Sequence, residues 1–179
     1  MMNDSPPDPE LIENARRDPD AFAALYRHYL TPVYRYLSRR VGNVHDAEDL
    51  TTQVFMDALD GLVKGRFQRN GCFPAWLFTI ARRRSVDFHR QRPASPLTDI
   101  PSAEPALLAA LEKQDDLKRL TALLAQLDPE KQEILRLRFS AQLSFAEIAL
   151  LEGKNEAAIK MALYRTLEWL RAHWEAGNG

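Results

Sequence analysis

A chain of 179 residues, 45% hydrophobic and 27% charged, is long enough to bury a core as one domain or as two small ones. Its formal charge of −1 argues against a uniformly basic nucleic-acid binder, and a single cysteine, Cys72, excludes an internal disulfide framework and fits a reducing cytoplasm. The start, Met1–Glu10, lacks the basic region and apolar run of a signal peptide. No apolar run approaches the roughly 20 residues of a membrane span. The expectation is a soluble cytoplasmic protein with no membrane insertion.

In chain order, residues 1–9 read as a disordered leader, followed by a short helix through Leu11 and Ile12. Asp18-Pro19 supplies a cap and a first-turn proline. The helix it opens carries Phe22, Leu25, Tyr26 and Tyr29 on one stripe; Thr31-Pro32 either kinks or restarts it, and Val33, Tyr36, Leu37 and Val41 continue the pattern. Strand-like alternation is missing throughout, so the chain reads as all-α. Asn43 caps the next helix, Val44 to about Lys64, whose inward stripe is Ala47, Leu50, Val54, Ala58 and Leu62. Asp46, Asp49, Gln53, Asp57 and Asp60 form a ridge on another face. The helix dipole explains acids in the first turn but not the later ones. No second ligand cluster accompanies His45, Asp46, Glu48 and Asp49, and neither a metal nor another cofactor is expected.

The charge is unevenly spread. Residues 1–63 carry six bases and eleven acids (−5), residues 64–92 eight bases and one acid (+7), and residues 93–179 ten bases and thirteen acids (−3). The basic segment begins with a loop holding Lys64, Arg66, Phe67, Arg69 and Asn70, and continues into a helix from Phe73 to Arg92 with Pro74 in its first turn. Helical winding places Trp76, Leu77, Ile80, Ala81 and Phe88 inward, and Thr79, Arg82, Arg83, His89 and Arg90 outward. Arg84 projects into the apolar arc, with Asp87 placed to pair with it. Cations beside aromatic and amide side chains suit single-stranded nucleic acid, while the acidic ridge suits a basic protein surface. So little net charge predicts weak DNA binding by the chain alone, and hence a partner.

From Pro93 to about Leu111 the composition turns to Pro, Ser, Ala and acids with no Lys or Arg, as in a flexible linker, although Ala106–Leu111 already reads as the start of a helix. Leu117, Leu120, Leu123, Leu124 and Leu127 mark the first helix beyond it, and Asp128-Pro129 caps another bearing Ile134, Leu135 and Phe139. Ser144-Phe-Ala-Glu147 is a capping box for a short helix ending near Gly153. Asn155 caps the last helix, with Ile159, Ala162, Leu163, Thr166 and Leu170 inward and Glu156, Ala157, Lys160, Met161, Tyr164 and Arg165 outward. Short helix, glycine turn and longer helix make a helix-turn-helix.

Three stretches, Asp46–Phe55, Trp76–Asp87 and Leu127–Gln132 leading into Phe145–Ala149, together resemble the extracytoplasmic-function (ECF) type of bacterial sigma factor. The resemblance implies two small helical domains joined by a flexible linker: leader 1–9, a region 2-like domain 10–92, linker 93–111 and a region 4-like helix-turn-helix domain 112–175. It implies that Asp46, Glu48, Asp49, Gln53, Phe55 and Asp57 dock on core RNA polymerase. Arg66, Phe67, Arg69, Asn70, Phe73, Trp76, Arg82, Arg83 and Arg90 would meet the melted −10 promoter element, with flipped bases captured. Glu156, Ala157, Lys160, Met161, Tyr164 and Arg165 would read the −35 duplex, and an anti-sigma factor is a further possible partner. The chain departs from the family pattern at Arg83, Arg84, Glu152, Lys154 and Ala162. No phosphate-binding glycine loop or nucleophile–base pair is evident, so a transcription initiation factor that is not an enzyme is expected. The alternative reading is a stand-alone helix-turn-helix regulator, which predicts tight operator binding by the isolated protein.

Overall fold

In a computed structural model, residues 9–68, 71–91 and 107–176 are described, with side chains described from 115 onward in the last segment. A short helix, α1 (Pro9–Asn14), leads into α2 (Pro19–Val41), where the Asp18 carboxylate accepts the Asp20 N–H at 2.9 Å. α2 runs unbroken through Pro32, neither restarting nor ending there. An interior proline sacrifices one helical hydrogen bond. Here burial of Tyr29, Val33, Tyr36 and Leu37 on either side of it holds the helix together.

α3 (Val44–Val63) opens on Asn43, whose side-chain oxygen accepts the N–H groups of His45 and Asp46 at 2.8 and 3.2 Å. α4 (Phe73–Gln91) buries Phe73, Leu77, Phe78, Ala81 and Ser85. Phe78 meets Tyr36 edge-on with ring centroids 5.4 Å apart. The buried stripe is rotated from the one expected: Trp76, Ile80 and Phe88 are only half-buried, while Phe78 and Ser85 are fully enclosed. The cause is a third neighbour. α4 packs against α3, α2 and a helix of the second module, so its face is set by three partners rather than one.

The second module begins with α5 (Leu107–Ala125), joined to the C-terminal helix by Arg119, which donates to the carbonyls of His173 and Trp174 and covers the Trp174 ring. Leu123 and Leu127 are buried, whereas Leu117 and Leu120 are exposed. α6 (Pro129–Leu135) is capped by Asp128, which accepts the Lys131 N–H at 2.9 Å, and runs on as a π-helical turn over Arg136–Ser140. That turn leaves Phe139 exposed while Ile134 and Leu135 are buried. α7 (Phe145–Glu152) has the expected reciprocal capping box between Ser144 and Glu147. It ends at Gly153, whose φ of 62° is the left-handed conformation that a side chain would strain. α8 (Glu156–Ala176) starts behind Asn155, which accepts the Ala158 N–H at 2.7 Å. Buried residues of both modules form one contiguous cluster, closed by α4 against α7 and by α2 against the π-helical turn.

Candidate nucleic-acid and partner interfaces

The basic segment folds around a cleft of about 390 Å³ between α3 and α4, lined by Asp57, Gly61, Arg66, Trp76, Thr79 and Arg83 among others. Gly61 is required by close approach, because a Cβ there would stand 2.7 Å from the Trp76 ring. Nothing in the sequence marked that glycine. Arg66 and Arg83 are exposed at the rim, and Arg90 is exposed nearer the end of α4.

Three expectations for this segment are corrected. Phe67 and Phe73 are not surface aromatics: both are buried, 5.6 Å apart by centroid and 5.2 and 5.7 Å from Trp76. Three rings closing over a short loop bury more apolar area than a solvated loop would, so the aromatics turn inward. Arg84 does not pair with Asp87. Its guanidinium donates two hydrogen bonds of 2.5 Å to the Asp57 carboxylate, holding Arg84 above its ordinary pKa, and Asp87 faces Arg83 at 3.8 Å instead. Arg82 is not an outward cation either, since it pairs with Glu133 and Glu152 of the second module. Arg69 and Asn70 lie outside the described residues.

The acidic ridge divides in two. Glu48, Asp49 and Gln53 are exposed, and Asp46, half-buried, lines a small recess with Asp49, Gln53, Phe88 and Gln91. Further along, Asp57 is committed to Arg84, and Asp60 to Lys64 at 2.7 Å and Arg66 at 3.6 Å. Phe55, expected to dock, is buried edge-on to Tyr26 at 4.6 Å, because it lies on the stripe of Leu62 and not of Gln53. Met56, by contrast, is 64% exposed beside the N-terminal half of the ridge. Its spacing of three from Gln53 and seven from Asp49 was the available signal.

In the helix-turn-helix, Ile159, Leu163 and Thr166 are buried and fix the orientation of α8. Glu156, Ala157, Lys160, Met161, Tyr164 and Arg165 are all exposed, as their spacing predicted. Lys160 pairs with Glu156 at 2.6 Å and lies over the Phe145 ring, 5.5 Å from its centroid.

The first module thus carries an acidic helix beside a basic cleft, and the second a helix-turn-helix whose last helix keeps its outer row exposed. Residues 25–94 match the family model Sigma-70 region 2, and residues 117–170 match Sigma-70, region 4. The ECF RNA polymerase sigma factor BldN of Streptomyces coelicolor is 39% identical over 170 residues, covering 90% of this chain and 63% of BldN. The RNA polymerase sigma factor CarQ of Myxococcus xanthus is 31% identical over 155 residues, covering 85% of this chain and 88% of CarQ. The chain spans less than two thirds of BldN but most of CarQ. CnrH, solved in complex with the cytosolic domain of CnrY, shares the fold, with a TM-score of 0.69 at 24% identity over 94% of this chain and 97% of that one. The chain belongs to the ECF RNA polymerase sigma factors. Among the described residues no helix is long and apolar enough to cross a membrane.

Proposed function

We propose that residues 10–92 dock on core RNA polymerase and engage the melted −10 element, and that residues 112–175 read the −35 duplex, the intervening chain serving as a linker. The observation that carries this reading is the segregation of surfaces: an exposed acidic and apolar face on α3, a cationic cleft between α3 and α4, and an exposed row on α8. Glu48, Asp49, Gln53 and Met56 form the polymerase face, with charge for steering and an apolar anchor for affinity. With Phe67 and Phe73 in the core, the aromatic available to an unstacked base is Trp76, flanked by Arg66 and Arg83. DNA opening is then binding work: contacts to extruded bases offset an unstacking cost of a few kcal/mol, and the chemistry of RNA synthesis stays with the polymerase in the cytoplasm. CnrH was solved with the cytosolic domain of CnrY, and we propose an anti-sigma factor as a further partner of this chain.

Asp49→Lys combined with Gln53→Lys should weaken association with core polymerase by roughly 2–5 kcal/mol if these contacts are desolvated in the complex, and leave helix content unchanged. Unchanged polymerase affinity would remove the docking assignment. Tight duplex operator binding by the isolated chain would instead favour the stand-alone regulator.

A further inference from the structure

One cluster of charges lies outside all three surfaces, in the seam between the modules. Glu133 of α6 reaches across to the first module. It accepts a hydrogen bond from the Tyr36 hydroxyl at 2.7 Å and one from Arg40 at 2.6 Å, and faces Arg82 at 3.3 Å. Arg136 of its own module lies 3.1 Å away. Glu152, at the end of α7, takes the other side of Arg82. His89 and the Arg40 carbonyl, 2.9 Å apart, tie the end of α4 to the end of α2.

The donors outnumber what these carboxylates use. Three guanidiniums (Arg40, Arg82, Arg136) face two carboxylates, which leaves one positive charge in excess. Nε of Arg40 is buried without a hydrogen-bond partner among the described residues, and Nε of Arg82, although 3.3 Å from Glu133 Oε1, is not aligned to donate to it. Arg40 and Arg82 come from two helices of the basic module and converge on one point, as an oxyanion with several acceptor oxygens requires. Both carboxylates come from the other module, so separating the modules would expose the arginines together.

We propose that Arg40 and Arg82 form a phosphate site for single-stranded nucleic acid, which Glu133 and Glu152 occupy in the closed chain. The helix-turn-helix module thereby masks part of the groove beside it, and the strand and the module compete for the same guanidiniums. This rests on the reading of α4 as a nucleic-acid face and adds Arg40 to it. It also gives the isolated chain a reason, beyond its small net charge, to bind DNA poorly.

The test uses the full chain, a fluorescein-labelled oligothymidylate of about 15 nucleotides, and anisotropy over a salt series. Glu133→Gln with Glu152→Gln keeps side-chain volume and removes both competing charges. A lock that leaves about one molecule in ten open lowers apparent affinity about tenfold, so the double variant should regain about that factor. Two further phosphates neutralised on a single strand should steepen the salt dependence by about 1.4. Glu168→Gln with Glu175→Gln makes the same charge change on exposed positions of α8 and should give no comparable gain. Adding Arg40→Gln and Arg82→Gln to the opened variant should abolish the gain, although small-angle scattering shows the chain still expanded. Equal gain from the α8 control, or no gain from the opened variant whether or not it expands, overturns the mask. Promoter binding with core polymerase, measured alongside, separates the failures. Retained binding without a gain removes the mask alone, whereas loss of both removes the nucleic-acid reading of α4 as well.

Discussion

α4 and α8 are both helices with basic outer positions, yet the fold treats their charges in opposite ways. On α4, Arg82 faces Glu133 and Glu152 and Arg84 is held by Asp57, all on other helices, while the exposed Arg83 faces only Asp87 of its own helix. On α8, the one ion pair of Lys160 among the described residues is with Glu156 of its own helix, beside its contact with the Phe145 ring, and Arg165 is exposed with no ion pair among the described residues. The difference follows from position. α4 is enclosed by helices on three sides and must neutralise cations that burial would otherwise penalise, whereas α8 rests on its module along one stripe. A count of +7 over residues 64–92 therefore overstates the charge this segment presents to a partner.

The largest effect should come from the aromatic loop, and it tests how firmly the basic cleft is built. Phe67 is 4% exposed between Phe73 and Trp76, so Phe67→Ala should cost about 3–5 kcal/mol in urea or thermal unfolding. Arg66→Ala, one residue away and exposed, should stay within about 0.5 kcal/mol. A loop that presented its aromatics to solvent would show no such contrast, and a small loss for Phe67→Ala would return it to the surface.

The next effect belongs to α8. Arg165→Ala and Lys160→Ala should each leave stability within about 0.5 kcal/mol, because both side chains are exposed. Their binding phenotypes should part. An arginine that reads guanine bidentately contributes about 1–3 kcal/mol of discrimination, so Arg165→Ala should relax one promoter position. Lys160→Ala should weaken all promoters alike and reduce the salt slope by about 0.9. Selection from a promoter library by the polymerase-bound chain measures both. No positional change for Arg165→Ala would take it out of the base-reading set.

The sequence was most legible where a side chain acts on its own helix. Asp18, Asn43, Asp128, Ser144 with Glu147, and Gly153 all work locally, and each stands where its residue type predicted. The outward row of α8 was legible for the same reason: only one stripe of that helix packs. The α4 cluster was not, because its partners are remote. Asp57 is 27 residues from Arg84, Glu152 is 70 from Arg82, and Glu133 is 97 from Tyr36. Helical spacing offered the nearer but wrong partner, Asp87 for Arg84, since a periodicity argument sees one helix at a time. Even so, two residues noted as departures from the family pattern, Arg84 and Glu152, turn out to be members of these long-range pairs. Phe67 is the opposite case: its place in a loop suggests exposure, but the Phe73 and Trp76 rings give it a core.

The smallest effect concerns Arg84 and Asp57, and it sets how much of the charge on α4 is permanently spent. The pair is bidentate at 2.5 Å, but the side chains remain 37% and 38% exposed, so water and salt screen it. A double-mutant cycle with Arg84→Ala and Asp57→Ala should give a coupling of about 0.2–1 kcal/mol at low salt, falling toward zero as salt is raised. This pair lies in the wall of the cleft, within reach of any strand bound beside Trp76. A coupling of that size is small enough for a phosphate to draw Arg84 away from Asp57, which would return one cation to the groove on binding. A salt-insensitive coupling well above 1 kcal/mol would mean that Arg84 is fixed as a strut of the cleft. The contrast between the two helices would then be sharper, with α4 contributing shape through Trp76 and Gly61 and α8 the mobile charge.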